Sequence, residues 1–143
     1  MDKNWQKELC AAAVLTFEEM CLLMPDELSD GELSVETPRS ASVSFSGPIC
    51  GELFVSVDEG FLPELVGHIV GEIEISEMEL LMDGLGEVAN IITGNVLPRI
   101  GGEAAVFVLE APRSVPFSTN TTDPRALLVF EGNCVSVRVR VSP

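Results

Sequence analysis

The segment that most constrains the fold is CVSVRVRV, residues 134–141, in which apolar and polar residues alternate. Because successive side chains of a strand point to opposite faces, the valines lie on one face and Ser136, Arg138 and Arg140 on the other. The sequence Glu131-Gly132-Asn133 supplies a turn before this strand. A strand with one apolar face needs a covering layer, so the segment predicts a sheet packed against other elements.

The rest of the chain contains further strand-like and helix-like segments. Five more stretches show strand-like composition: Leu33–Glu36, Ala41–Phe45, Gly51–Val57, Ala104–Leu109 and Ala126–Phe130. Between the last two we expect an irregular, proline-containing loop. Three stretches show helical periodicity: about Asp2 to Met24, Asp58 to Val70, and Ser76 to about Ile100.

Local signals mark several helix ends. Asp58 is expected to cap the second helix, and Ser76 with Glu79 three positions later matches a capping box at the start of the third. Gly101-Gly102 ends that helix. The order is one helix and three strands, then two helices and three strands. This order predicts an α+β fold, with helices packed on a mostly antiparallel sheet and pseudo-repeated helix-plus-three-strand units, in a single domain of residues 1–143.

Composition excludes several function classes. The formal net charge is −15, from 23 acidic and 8 basic residues, so nucleic acid and anionic membrane surfaces would repel the chain. No segment approaches the roughly 18 consecutive apolar residues of a membrane span, and the N-terminus lacks the pattern of a secretory signal. We therefore expect a cytoplasmic protein that binds neither nucleic acid nor membranes.

The cysteines and the histidine give no metal signature. The four cysteines form no Cys-x-x-Cys pair, and there is one histidine, His68, in an apolar run. Zinc sites need clustered ligands, so we predict that no metal is bound by this chain. Cys10 and Cys21 share one helix face, and core packing is the favoured role for such unpaired thiols.

The third helix carries the candidate functional residues. At about 100° per residue, its apolar residues Leu81, Leu85, Val88, Ile92 and Val96 form one face, which is expected to pack on the sheet.

The opposite face holds Asp83, Gly86, Glu87, Asn90 and Gly94. Glu87 and Asn90 are i, i+3 neighbours, so their side chains lie close together.

Three glycines, Gly84, Gly86 and Gly94, lie within this helix, where each costs about 1 kcal/mol relative to alanine. Glycine at such positions allows another molecule to approach the helix backbone closely. A Glu and an Asn on the polar face of a helix are common, however, and spacing alone leaves a simple solvated surface as an alternative. Asp83 is interpreted as a solvated neighbour or an electrostatic helper, and Asn95 as a structural hydrogen-bonding residue.

The segment DGLGEVANIITGN, residues 83–95, closely resembles the signature helix of the CheC/CheX/FliY chemotaxis phosphatases. That pattern has Asp or Ser, then Glu four residues later, Asn three residues after that, and Pro about twenty residues further on. Asp83, Glu87, Asn90 and Pro112 match it in order. The first helix lacks the second Glu-x-x-Asn pair of CheC-type members, so the chain resembles the single-site, CheX-like type.

The resemblance implies a hydrolase that removes phosphate from the aspartyl phosphate of a CheY-like response regulator in two-component signalling. Glu87 and Asn90 would be catalytic: Asn90 would orient the attacking water, and Glu87 would pair with the receiver's lysine. Asp83, Gly86 and Gly94 would contact the partner. This chain would bind no cofactor, because the Mg²⁺ is expected in the receiver, and relatives of this type form homodimers joined through their sheets.

Two rival functions remain open. The chain could be a non-catalytic, receiver-binding adaptor or a scaffold like those of the flagellar switch, although neither needs Glu87 and Asn90 together. An ordinary hydrolase is poorly supported, because the chain has no Gly-x-Ser-x-Gly motif and no His-Asp partner for a nucleophile.

Overall fold

The computed structural model describes residues 4–20, 23–29, 36–70, 77–118 and 122–142. In chain order the elements are α1 (Trp5–Met20), β1 (Glu27–Ser29), β2 (Pro38–Ser46), β3 (Gly51–Asp58), α2 (Leu62–Val70), α3 (Met78–Gly101), β4 (Val108–Leu109), β5 (Arg113–Val115), β6 (Arg125–Phe130) and β7 (Asn133–Val141). A single 3-10 turn, Glu59–Phe61, precedes α2. The predicted α+β architecture is confirmed.

The seven strands form one sheet in the order β1-β6-β7-β3-β2-β4, and β5 also pairs with β2. Each of the six strand pairings in the described part of the chain is antiparallel. The strand order shows the pseudo-repeat. β3 of the first half and β7 of the second half are neighbours at the centre of the sheet, and β2 and β6 lie on their outer sides. The edge strands are exchanged: β1 of the first half pairs with β6, while β4 and β5 of the second half pair with β2.

One face of the sheet is the core face. The inward residues of β3 and β7 are apolar and at most 1% exposed: Leu53, Val55, Val57, Val135, Val137 and Val139. Helices α1 and α3 pack against this face and against each other. The other face carries the polar residues of the same strands, including Ser136, Arg138 and Arg140, as the alternation of CVSVRVRV predicts.

Helix α1 is shorter in its described part than the predicted span of Asp2 to Met24. Residues 1–3 and 21–22, including Cys21, lie outside the described residues. Leu9, Ala13 and Phe17 are fully buried as predicted, but Met20 and Met24 are 44% and 60% exposed. The apolar face of the helix therefore stops contributing to the core after Phe17, whose ring packs edge-on against Phe130 with 5.2 Å between centroids.

The predicted element boundaries need four corrections. The strand predicted at Leu33–Glu36 lies largely outside the described residues, and a short strand, β1, occurs before it. The strand predicted at Ala104–Leu109 is reduced to Val108–Leu109. The loop after it contains β5.

The fourth correction concerns the start of α3. Ser76, the predicted capping residue, lies outside the described residues; the N-cap is Glu77, and its side chain makes no capping hydrogen bond. The other predicted capping residue, Asp58, caps the 3-10 turn that precedes α2 rather than α2 itself, because the Gly60 amide donates to Asp58 Oδ2 at 3.0 Å.

The described cysteines only partly fit the core interpretation. Cys10 and Cys134 are half-buried and Cys50 is exposed. Burial raises the pKa of the Cys10 thiol, which keeps it protonated and unreactive at neutral pH.

Candidate functional site

Helix α3 is held to the sheet by a continuous apolar stripe. Its five predicted core residues are at most 3% exposed: Leu81, Leu85, Val88, Ile92 and Val96. In the sheet, α3 contacts mainly β2 and β3, and it also packs against α1 and α2. Because this contact fixes the rotation of the helix about its axis, it also determines which residues face outward.

The outward face of α3 is a ridge formed by Asp83, Glu87, Asn90 and Gly94. At about 100° per residue, these four positions fall within an arc of about 60°. Asp83, Glu87 and Gly94 are exposed, and Asn90 is half-buried. Among the residues that the structure describes, no hydrogen bond or ion pair engages the Glu87 carboxylate or the Asn90 amide. Both groups are therefore available to another molecule.

The structure explains the three glycines of α3 in different ways. A Cβ atom at Gly84 would collide with Val66 of α2, whose Cγ2 would be 2.8 Å away, and one at Gly86 would lie 2.9 Å from Pro112 Cβ. At these two positions the group that approaches the helix belongs to the chain itself. At Gly94 a Cβ would meet nothing within 4 Å. Close approach by another molecule thus remains an explanation for Gly94 alone.

Pro112 interrupts the edge of the sheet beside this helix. β4 and β5 both pair with β2, so they are two pieces of one edge strand that breaks around Pro112. Proline lacks the amide hydrogen that a continuous ladder would use. The interruption brings the proline ring against Gly86, one residue before Glu87.

A shallow cleft of about 200 Å³ opens between α3 and this edge strand. Met82, Asp83, Gly86 and Glu87 form the helix wall, and residues 112–114 form the strand wall. The cleft lies directly beside the ridge. The sequence analysis missed the strand wall, although Pro112 already belonged to the matched motif.

Arg113 is fixed in place by Glu52 of β3. Its Nη2 donates to Glu52 Oε2 at 3.0 Å, and the Ser42 hydroxyl donates to the same oxygen at 2.7 Å. Burial would raise the pKa of Glu52, but the hydrogen bonds from Ser42 and Arg113 and the charges of Arg113 and Arg140 outweigh it, so the pKa lies below its ordinary value of 4.5. Glu52 is therefore ionised at neutral pH.

Asn95, the other asparagine of α3 near the ridge, has a structural partner. Its Nδ2 donates to Thr16 Oγ1 of α1 at 2.8 Å, and Thr16 in turn donates to the Ala12 carbonyl at 2.8 Å. The predicted structural role of Asn95 is confirmed. The two amides of one helix therefore differ: Asn95 is bound within the chain, and Asn90 is free among the described residues.

Within the described ranges, no group of three or more His, Cys, Asp or Glu residues is arranged to hold a metal ion. No helix in the same part of the chain combines the length and apolarity needed to cross a membrane. His68 is exposed on α2.

The ridge and the cleft lie within a part of the chain that matches a known protein family. The family model described as "Chemotaxis phosphatase CheX" matches residues 39–116, just over half of the 143-residue chain. The chain belongs to the CheX family. The matched region runs from β2 through β5, so it contains both walls of the cleft. A search of curated proteins finds no matching sequence.

Solved structures show that the CheX fold extends over the whole chain. A chain of the CheX-CheY-BeF3-Mg²⁺ complex from Borrelia burgdorferi has a TM-score of 0.74 at 20% identity, covering 97% of this chain and 98% of that chain. CheX from Desulfovibrio desulfuricans has a TM-score of 0.76 at 17% identity, covering 98% of this chain and 100% of that one. FliY from Thermotoga maritima is more distant, with a TM-score of 0.57 at 12% identity, covering 91% of this chain and 83% of that chain.

Proposed function

We propose that this CheX-family chain dephosphorylates the aspartyl phosphate of a CheY-like receiver domain, with Glu87 and Asn90 as the catalytic residues. The observation that carries the proposal is the ridge: a carboxylate and an amide lie one turn apart, outside the core and without partners among the described residues. Family membership supports the reaction class, and the Borrelia burgdorferi CheX was crystallised with CheY, BeF3 and Mg²⁺.

The chemistry requires little from the phosphatase itself. Water attacks phosphorus, the bond between phosphorus and the aspartyl oxygen breaks, and the products are the free aspartate carboxylate and inorganic phosphate. Catalysis of such a transfer depends mainly on positioning and electrostatics. Asn90 orients the water by hydrogen bonding, since an amide cannot act as a base at neutral pH. The water's proton leaves with the phosphate or the solvent.

Glu87 has a docking role in this proposal. Its carboxylate pairs with the receiver's lysine and so sets the position of α3 against the phosphorylated pocket. Asp83, one turn before it, adds negative potential on the same ridge, while Gly94 leaves room for the receiver. Mg²⁺ belongs to the receiver, and this chain supplies no ligand to it.

The whole ridge comes from one helix of one chain, so the reaction does not require residues from a second copy. The homodimer joined through the sheets stays a prediction, which sedimentation analysis would test. Action in the cytoplasm follows from the substrate, because phosphorylated receivers are signalling proteins of that compartment.

The test compares turnover of phosphorylated receivers by the parent, Asn90→Ala and Glu87→Ala. We expect Asn90→Ala to lower kcat by at least about a hundredfold with binding retained, because only the orientation of water is lost. Glu87→Ala should weaken docking as well as rate, by about 1–3 kcal/mol for a charge-assisted pair that is desolvated on binding. Phosphate release and affinity for a BeF3-loaded receiver are the measurements.

Asn95→Ala is the matched control, since it removes the other amide of the same helix and should keep kcat. Full activity in Asn90→Ala would show that the role assigned to Asn90 is wrong. Binding of a phosphorylated receiver by the parent without any phosphate release would favour the adaptor function instead.

A further inference from the structure

Leu80, in the first turn of α3, is a large apolar residue on the outside of the protein. It is 51% exposed, whereas the other three leucines of this helix are at most 3% exposed. Met78 and Met82, two positions before and after it, pack on the core. The core therefore does not account for a leucine at this position. Single exposed apolar residues are common on protein surfaces, so the location of Leu80 decides what it means.

The location of Leu80 is beside the ridge. At about 100° per residue, Leu80 falls about 20° from Glu87 around the helix, and Ile91 falls about 40° from it. Both lie on the side of Glu87 away from Asp83 and Asn90. Ile91 is half-buried, and Glu87 lies between the two apolar residues along the helix. We call Leu80 and Ile91 the apolar flank of the ridge.

A receiver docked on Glu87 would cover the apolar flank. At a rise of about 1.5 Å per residue, Leu80 lies about 10 Å and Ile91 about 6 Å from Glu87 along the helix axis. A standard-size interface buries about 800 Å² on each partner, which is the area of a disc of about 16 Å radius. Both residues of the flank therefore lie inside the area that a receiver centred on Glu87 occupies.

The flank also acts on the ion pair proposed for Glu87. Apolar groups around a charged pair exclude water, and the attraction between the two charges is stronger where water is excluded. An apolar group of the receiver that faces Leu80 would exclude water in this way. A charged group at the same place would lose its hydration without gaining a partner, so it would oppose docking.

We propose that the apolar flank is a specificity-determining contact, which packs against an apolar patch of the receiver next to its phosphorylated pocket. The inference rests on the proposed function for its partner, a CheY-like receiver. Receivers that carry apolar side chains at this place are preferred as substrates over receivers that carry charged ones.

The experiment measures KM and kcat with phosphorylated receiver, and the Kd for a BeF3- and Mg²⁺-loaded CheY-like receiver from the source organism. Leu80→Gln keeps a long side chain and a good helix former but replaces the apolar end. We expect it to raise KM and Kd about three- to tenfold with kcat unchanged, since about half of a leucine's burial is still available for docking. Ile91→Gln should raise both by less, and Leu80→Met, which stays apolar, should bind as the parent does.

Heat capacity and salt provide further readouts. Burial of apolar surface makes the heat-capacity change of binding negative, so calorimetry should give a less negative value for Leu80→Gln than for the parent. The ratio of Kd between Leu80→Gln and the parent should not change with salt, because no charge is altered. The corresponding ratio for Glu87→Ala should shrink as salt screens the ion pair.

Leu28→Gln is the matched control. Leu28 is 53% exposed, almost the same as Leu80, but it lies on β1 at the edge of the sheet. Because β6 and β7 separate β1 from β3, Leu28 lies three strand spacings, about 14 Å, from the nearer of the two strands that α3 mainly contacts. KM and Kd should not change. Circular dichroism checks the fold of each variant, and Leu80→Ala replaces Leu80→Gln, with the same expectation, if the latter does not fold.

The outcomes separate this inference from the proposed function. If Leu80→Gln or Ile91→Gln binds and turns over as the parent does while Asn90→Ala is inactive, the inference is overturned and the proposed function stands. The inference is likewise overturned if Leu80→Gln lowers kcat at unchanged KM, or if Leu28→Gln raises Kd equally. If Asn90→Ala stays active, the catalytic assignment fails, and a higher Kd for both flank variants still supports the contact. If no BeF3-loaded receiver binds the parent, both proposals are overturned.

Discussion

Replacing Gly94 with alanine should make the protein more stable and less active. Gly94 lies within α3, and a Cβ there would meet nothing within 4 Å. Its φ is not positive, so alanine adopts the same backbone without strain. Alanine is favoured over glycine in a helix interior by about 1 kcal/mol, which corresponds to a rise in Tm of about 4 °C for a domain of this size.

The same methyl group should impair docking. If the receiver approaches the α3 backbone at Gly94, the added methyl has to be accommodated in a close contact, at a cost of about 1–3 kcal/mol. Thermal unfolding followed by circular dichroism measures the first effect, and KM for phosphorylated receiver measures the second. We expect a higher Tm together with a KM raised about fivefold or more.

Gly84→Ala is the opposite control on the same helix. There the methyl would collide with Val66, so Tm should fall, by an amount corresponding to about 1–3 kcal/mol of overpacking. KM should not change, because Gly84 is buried on the side facing α2. A Gly94→Ala variant with unchanged KM would refute the role of Gly94 as a contact for the receiver. A lowered Tm would refute the conclusion that the protein has room for a methyl group at position 94.

Two other predictions concern stability. Since the pKa of Glu52 is lowered in the folded state, its charge stabilises the fold at pH values above its ordinary pKa of 4.5, and this contribution is lost as the pH falls through the folded pKa. The Tm difference between the parent and Glu52→Gln should therefore be constant near neutrality and shrink below about pH 4.5; a difference independent of pH down to about pH 2 would contradict this. Asn95→Ala should lower the free energy of unfolding by about 1–3 kcal/mol, because it removes the hydrogen bond from Asn95 to Thr16 that joins α3 to α1. Urea denaturation measures this loss, and an unchanged midpoint would show that the bond contributes nothing.

The sequence could predict those parts of the site that lie on one helix. The 3.6-residue period separates the stripe that includes Leu85 and Ile92 from the ridge of Glu87 and Asn90, and the structure shows the same separation. The interpretation of Asn95 succeeded for the same reason, since its angle on the helix places it near the buried edge. Periodicity within one element depends only on local geometry, which a single sequence contains.

Contacts between distant segments could not be predicted in this way. Gly86 was interpreted as open surface, but Pro112 packs on it. Glu52 and Arg113 are 61 positions apart, and their ion pair depends on β5 pairing with β2. A strand of three residues has too few positions for alternation to stand out from a loop, so the strand wall of the cleft was missed.

The ends of elements were also hard to predict. Met20 and Met24 continue the apolar period of α1, yet both are exposed, and Met24 lies outside the helix, which ends at Met20. Periodicity shows which side of a helix is apolar but not how far the neighbouring layer extends.

The exchanged edge strands have a consequence for folding. Each half of the chain contributes an edge strand to the other half. Residues 27–29 pair with β6 of the C-terminal half, and residues 113–115 pair with β2 of the N-terminal half. A fragment ending before α2 would expose the unpaired border of β2 and lack the cover that α3 provides. We therefore expect that neither the N-terminal half nor the C-terminal half folds in isolation. The two halves should fold together in one cooperative transition, which depends on contacts between residues far apart in the sequence.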